Sequence, residues 1–149
     1  MNSNEKKLIK KHISYSELKN WDDCAFKHKL IHIDEVKKFI GNEYTAFGKA
    51  IHDTCEKLLL TGSFDTEDFF KHKFMSHLEE LRNKNIDFKQ DLVRSMWEVG
   101  PGLPVQLLPA LKEYLGDFET HSTELLLYEP IECEHSKDLH FKGYIDAVL

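Results

Sequence analysis

The apolar residues change their spacing once along this chain, and that change constrains the fold more than any other feature. From Leu18 to Phe118 they recur every three to four residues, as on helices with one covered face. After Ser122 the pattern becomes that of strands, most clearly in HFKGYIDAVL from His140 to Leu149. There Phe141, Gly143, Ile145 and Ala147 share one face, and Lys142, Tyr144, Asp146 and Val148 the other. Helices followed by a pair of strands predict an α+β fold.

Residues 1–13 read as a basic, flexible arm. Ser14 and Glu17 then form an S-x-x-E capping box that opens a helix reaching Leu30, with Leu18, Trp21, Ala25 and Leu30 on its apolar side and Phe26 close by. Lys27, His28, Lys29 and His32 lie on the opposite, solvated side. After a connection over 36–41, a second helix is expected from Glu43 to Leu60, stopped by Gly62, with Phe47, Ile51, Cys55, Leu58 and Leu59 as its core stripe. A third, capped near Asp65 and ending at Asn83, buries Phe69, Phe70, Phe74, Leu78 and Leu81. A short helix around Asp91 to Trp97 precedes the breaker GPGLP. A last helix over 105–118 buries Leu107, Leu108, Leu111 and Leu115, and Pro109 pushes its start later. Strands over 122–134 and 140–149 follow, joined by a turn over 134–138.

No apolar run is long enough to span a bilayer, and no apolar segment follows the basic N-terminus to make a secretory signal. Three widely spaced cysteines, Cys24, Cys55 and Cys133, indicate a reducing compartment, so the expected location is cytoplasmic, in a bacterium or a phage-infected host. The net charge of −6 argues against broad nonspecific binding to nucleic acid. The first 40 residues nevertheless carry +3, against −9 over the rest. Acids gathered at one site and basic groups elsewhere are compatible with a metal-dependent enzyme acting on phosphates.

Asp146 is the acid that needs explaining, because aspartate packs poorly in a strand. It marks either a solvated edge or a carboxylate fixed on a rigid element for a hard cation. His52 lies one helical turn after Gly48, over a surface that glycine leaves bare. Glu124 and Glu129 both sit on the first strand, and their odd separation lets only one of them face a site shared with Asp146. Cys24, His28 and His32 recur at four-residue spacing, the start of a transition-metal pattern, but a core cysteine beside solvated histidines is the preferred account of them. His72, His77, His121, His135 and His140 show no ligand spacing.

In this order, SYSELKNWDDCAFKHKL (14–30), FGKAIHDTCEKLL (47–59), ELLLYEPI (124–131) and FKGYIDAVL (141–149) resemble the PD-(D/E)XK nuclease superfamily. The likeness is to its RecB-like branch of phage and bacterial exonucleases and CRISPR adaptation nucleases. It implies a restriction-endonuclease-like fold and a magnesium- or manganese-dependent deoxyribonuclease working in DNA repair or recombination. His52, Asp146 and Glu124 would be the catalytic and metal-binding residues, with Glu129 the other choice for the third position. DNA would be the partner, met by Ser16, Lys27 and Lys29 of the first helix, with a helicase or recombination protein as a further partner. In relatives a cysteine at the position of Cys24 begins an iron–sulfur site, but here Ala25 replaces the proline that usually follows.

The family continues past its G-x-x-D strand into a strand bearing D/E-x-K, whereas this sequence stops at Leu149. Residues 14–149 are therefore expected to be the N-terminal portion of a nuclease domain, helices over 14–118 and a hairpin over 122–149, inactive alone and able to self-associate through an unfinished sheet edge. Three remaining cysteine ligands of an iron–sulfur cluster would belong only to a longer form. The competing expectations are a non-catalytic module that binds nucleic acid or protein on a degenerate nuclease fold, and a helical interaction domain whose likeness is coincidental.

Overall fold

A computed structural model describes residues 11–36, 40–132 and 138–149. The arm over 1–10, most of the 134–138 turn, Cys133 and His135 lie outside the described residues. The fold is α+β, and the chain divides into two compact units: Met1–Lys38 with Glu124–Ile145, and Phe39–Thr123 with Asp146–Leu149.

The first unit is built on a mixed sheet. Strand β1 (His12–Ser14) lies parallel to β3 (His140–Val148), His12 opposite His140 and Ser14 opposite Lys142. Strand β2 (Ser122–Pro130) completes the order β1–β3–β2. It runs antiparallel to β3, since Ile131 N–H bonds Leu139 O at one end of the pair and His121 N–H bonds Val148 O at the other. His12 and Ile13, expected in a flexible arm, thus form a strand, because β3 offers them an open edge.

Ser14 caps helix α1 (Tyr15–Asp23), its hydroxyl accepting from Glu17 N–H at 3.3 Å. The single helix expected up to Leu30 is broken at Cys24, whose backbone is extended. A short helix α2 (Ala25–His28) and a π-helical turn (Lys29–Ile33) follow. The break lets His28 return to Glu17, whose carboxylate is buried and meets His28 Nε2 at 2.9 Å. A carboxylate out of water requires such a partner. His32 stacks on His28 and reaches Asn20 at 3.0 Å, so these histidines are built into the unit rather than solvated. Leu18, Trp21 and Phe26, expected to be covered, are exposed; so small a unit has little apolar surface with which to cover them.

The second unit is helical. Helix α3 (Glu43–Thr61) opens with Asn42 and Thr45 in a reciprocal capping box and stops at Gly62, which supplies the positive φ of 75° at its end. Asp65 accepts from Asp68 N–H to cap α4 (Thr66–Asn83). The short loop between them folds α4 back on α3, and Ala46, Ala50, Phe70, Phe74, Leu78, Leu81 and Met96 form the core. Small residues at Ala46 and Ala50 admit the aromatic rings of α4, so the stripe of α3 runs through 46, 50, 54 and 58. Phe47 and Ile51 pack at its edge, and Phe47 meets both Phe70 and Phe74 edge-on. Helix α5 (Gln90–Val99) leads into 3-10 turns at Gly100–Gly102 and Pro104–Gln106. These delay α6 (Leu107–Leu115) until after Pro101 and Pro104, and Leu115 is exposed rather than buried. Pro109 does not push the start of α6 later but sits in its first turn, where the missing N–H costs no helical bond.

Candidate metal centre

Helix α3 directs His52 away from its buried stripe, roughly half a turn around the axis. Gly48, one turn earlier, has open space where a β-carbon would stand, so the ground before the imidazole is bare as the sequence suggested. Asp146 lies near the end of β3 in the same unit, and its Oδ1 is 3.4 Å from His52 Nε2. Both side chains are solvent-accessible, at 42% and 85% exposure, so the pair can admit a ligand from outside.

Two contacts within this unit hold the residues around Asp146. Thr123 Oγ1 donates to Glu56 Oε1 at 2.9 Å, one helical turn beyond His52. His121 N–H bonds Val148 O at 2.8 Å, which ties the start of β2 to the end of β3. Glu124 follows Thr123 directly along β2 and is exposed, with φ of 49°. A left-handed backbone at a residue other than glycine costs on the order of 1 kcal/mol and concentrates at functional sites. The strand is therefore irregular where the sequence argument assumed a regular alternation. Glu129 is exposed farther along β2 and belongs to no cluster of three potential metal ligands among the described residues.

An imidazole and a carboxylate suit a divalent cation with oxygen and nitrogen ligands. Two donors about 2.1 Å from one ion and at right angles stand about 3.0 Å apart, and a wider angle brings them to the separation seen between His52 and Asp146. The donor set fits a divalent cation. Burial raises the pKa of Cys55, on the same helix, above the ordinary thiol value.

The other expected site residues fare differently. Ser16 Oγ lies 3.1 Å from Ser14 Oγ at the start of α1. Lys27 pairs with Asp23 at 3.7 Å and Lys29 with Asp34, so both lysines already meet carboxylates of their own unit. Cys24 is exposed and free, and neither it nor its neighbouring histidines belongs to a potential ligand cluster among the described residues. Sequence reasoning missed His77 on α4, whose Nε2 contacts Asp53 Oδ2 at 3.2 Å while Lys73 contacts the same oxygen at 3.2 Å. No spacing signals this arrangement, because Asp53 comes from the facing helix.

No helix among the described residues is long and apolar enough to cross a membrane. Neither the curated proteins nor the solved structures contain a match to this sequence. The family model of the PD-(D/E)XK nuclease superfamily matches residues 12–149. The match covers nearly the whole sequence, and the chain belongs to the PD-(D/E)XK nuclease superfamily.

Proposed function

We propose that the protein is a magnesium- or manganese-dependent deoxyribonuclease of the RecB-like branch, acting exonucleolytically on DNA. Superfamily membership makes nucleic acid the substrate class, and the observation that carries the reading further is the 3.4 Å approach of His52 to Asp146. In this reading His52 and Asp146 hold the cation, with Glu124 as the further carboxylate ligand that the family resemblance implies. When bound, such an ion polarises the scissile phosphate and lowers the pKa of an attacking water. The bare surface at Gly48 leaves room for the sugar–phosphate backbone beside the imidazole. Glu56, held by Thr123, keeps the start of β2 in place.

Isothermal titration with MnCl₂ tests the centre, and end-labelled DNA incubated with Mn²⁺ tests the activity. Saturable binding lost in both His52→Ala and Asp146→Asn supports the metal site. Unchanged binding in either variant removes it. Metal-dependent cleavage lost in Asp146→Asn supports the enzyme, whereas absence of any Mn²⁺ effect that depends on His52 and Asp146 favours a module that only holds nucleic acid.

A further inference from the structure

The second unit contains a cleft of about 220 Å³ that the metal centre does not use, lined by Ile40, Thr45, Lys49, His77, Glu80 and Lys84 among others. Its floor is apolar, from Ala46 and Leu81. Its mouth is charged, and neither Lys49 nor Lys84 has a carboxylate partner among the described residues, unlike Lys27, Lys29, Lys71 and Lys73. An ammonium with no carboxylate beside it is available to an outside anion.

His77 is the best-anchored polar group here, 16% exposed and oriented through Nε2 by Asp53. Its Nδ1 is buried without a hydrogen-bond partner; the nearest carboxylate oxygen, Glu80 Oε1, stands 3.7 Å away. Nδ1 is thus the ring atom left to meet a ligand, accepting in the neutral ring with its proton on Nε2 and donating once both nitrogens are protonated. Glu80 is half exposed and offsets one of the two lysine charges, which leaves the cleft net positive.

On α3, Lys49 lies only about 60° around the axis from His52. A strand crossing the face that carries His52 therefore runs past this mouth. We infer that the cleft holds one backbone phosphate of the nucleic-acid strand, its oxygens bound by Lys49 and Lys84 with His77 Nδ1 behind them. The inference rests on the proposed nuclease reading for its ligand, but not on the metal.

Fluorescence anisotropy with a labelled single-stranded oligonucleotide in EDTA tests it, comparing wild type with Lys49→Gln/Lys84→Gln. The control is Lys89→Gln/Lys112→Gln, which removes the same charge from exposed positions elsewhere. The expected result is affinity lowered about tenfold in the first double variant alone, with the salt slope reduced by about 0.7, the value for one phosphate on a single strand. Equal losses in both double variants would overturn the inference, as would no loss in either. Saturable binding of inorganic phosphate lost in the first double variant, with oligonucleotide affinity intact, would also overturn it, since the cleft would then serve a free anion. If Mn²⁺ fails to bind at His52 and Asp146 while the lysine effect persists, the nuclease reading falls and the phosphate site stands.

Discussion

His52 Nε2 and Asp146 Oδ1 stand 3.4 Å apart, the one carried on an early helix and the other on the last strand. Both are accessible to solvent, and an exposed pair of this kind contributes little to folding. Their approach is therefore expected to add little to stability. His52→Ala and Asp146→Asn should each leave the unfolding free energy within about 0.5 kcal/mol of wild type in metal-free buffer. At a hundredfold excess of Mn²⁺ over Kd, wild type should gain about 2.7 kcal/mol and the variants nothing. Urea denaturation with and without Mn²⁺ reads both.

Gly48→Ala separates stability from function. A β-carbon there meets nothing, and alanine favours the helix by roughly 0.5–1 kcal/mol over glycine. The variant should melt higher, yet bind the nucleic-acid backbone less well if that backbone approaches the helix at this bare point. Thermal melts and oligonucleotide anisotropy on the same sample decide it.

Gly100 has the opposite character. A β-carbon at this position would lie 2.1 Å from Phe70 Cζ, and Phe70 is fully buried. Gly100→Ala should cost about 1–3 kcal/mol as the ring is forced to shift. A denaturation midpoint equal to wild type would show that the 3-10 turn yields instead.

Phe74 is fully buried, stacked on Phe70 and met edge-on by Phe47. Phe74→Ala should cost roughly 3–5 kcal/mol by leaving a cavity between α3 and α4. Loss of cooperative unfolding by circular dichroism would carry the same meaning.

Cys55 and Cys24 should differ in reactivity. Cys24 is exposed, whereas burial raises the Cys55 pKa. A disulfide exchange reagent at pH 8 should label Cys24 first, with Cys55 following only as pH rises past the ordinary thiol range. Because the folded pKa is the higher one, the unfolded thiol ionises first. Stability from this group is whole below the unfolded pKa and declines as pH rises toward the folded one. Equal labelling rates across pH 7–10 would contradict this.

Local pattern fixed the parts of this protein whose causes lie within a few residues. The ends of α3 and α4 were legible from Asp65 and Gly62, and the aromatic face of α4 from Phe70 and Phe74, because caps and helical stripes act over one or two turns. The motif order also pointed to His52 and Asp146, although no spacing in the chain states that they meet. Tertiary structure decided what depends on distant partners. The open edge of β3 recruited His12 and Ile13 into a strand. The buried carboxylate of Glu17 drew His28 back across the break at Cys24. The small residues Ala46 and Ala50 turned α3 so that its stripe met the rings of α4. Asp53 of one helix oriented His77 of another toward a cleft no motif foretells. Each of these is a contact between segments remote in sequence, and a one-dimensional pattern records only the propensity of each segment, not the neighbour that will satisfy it.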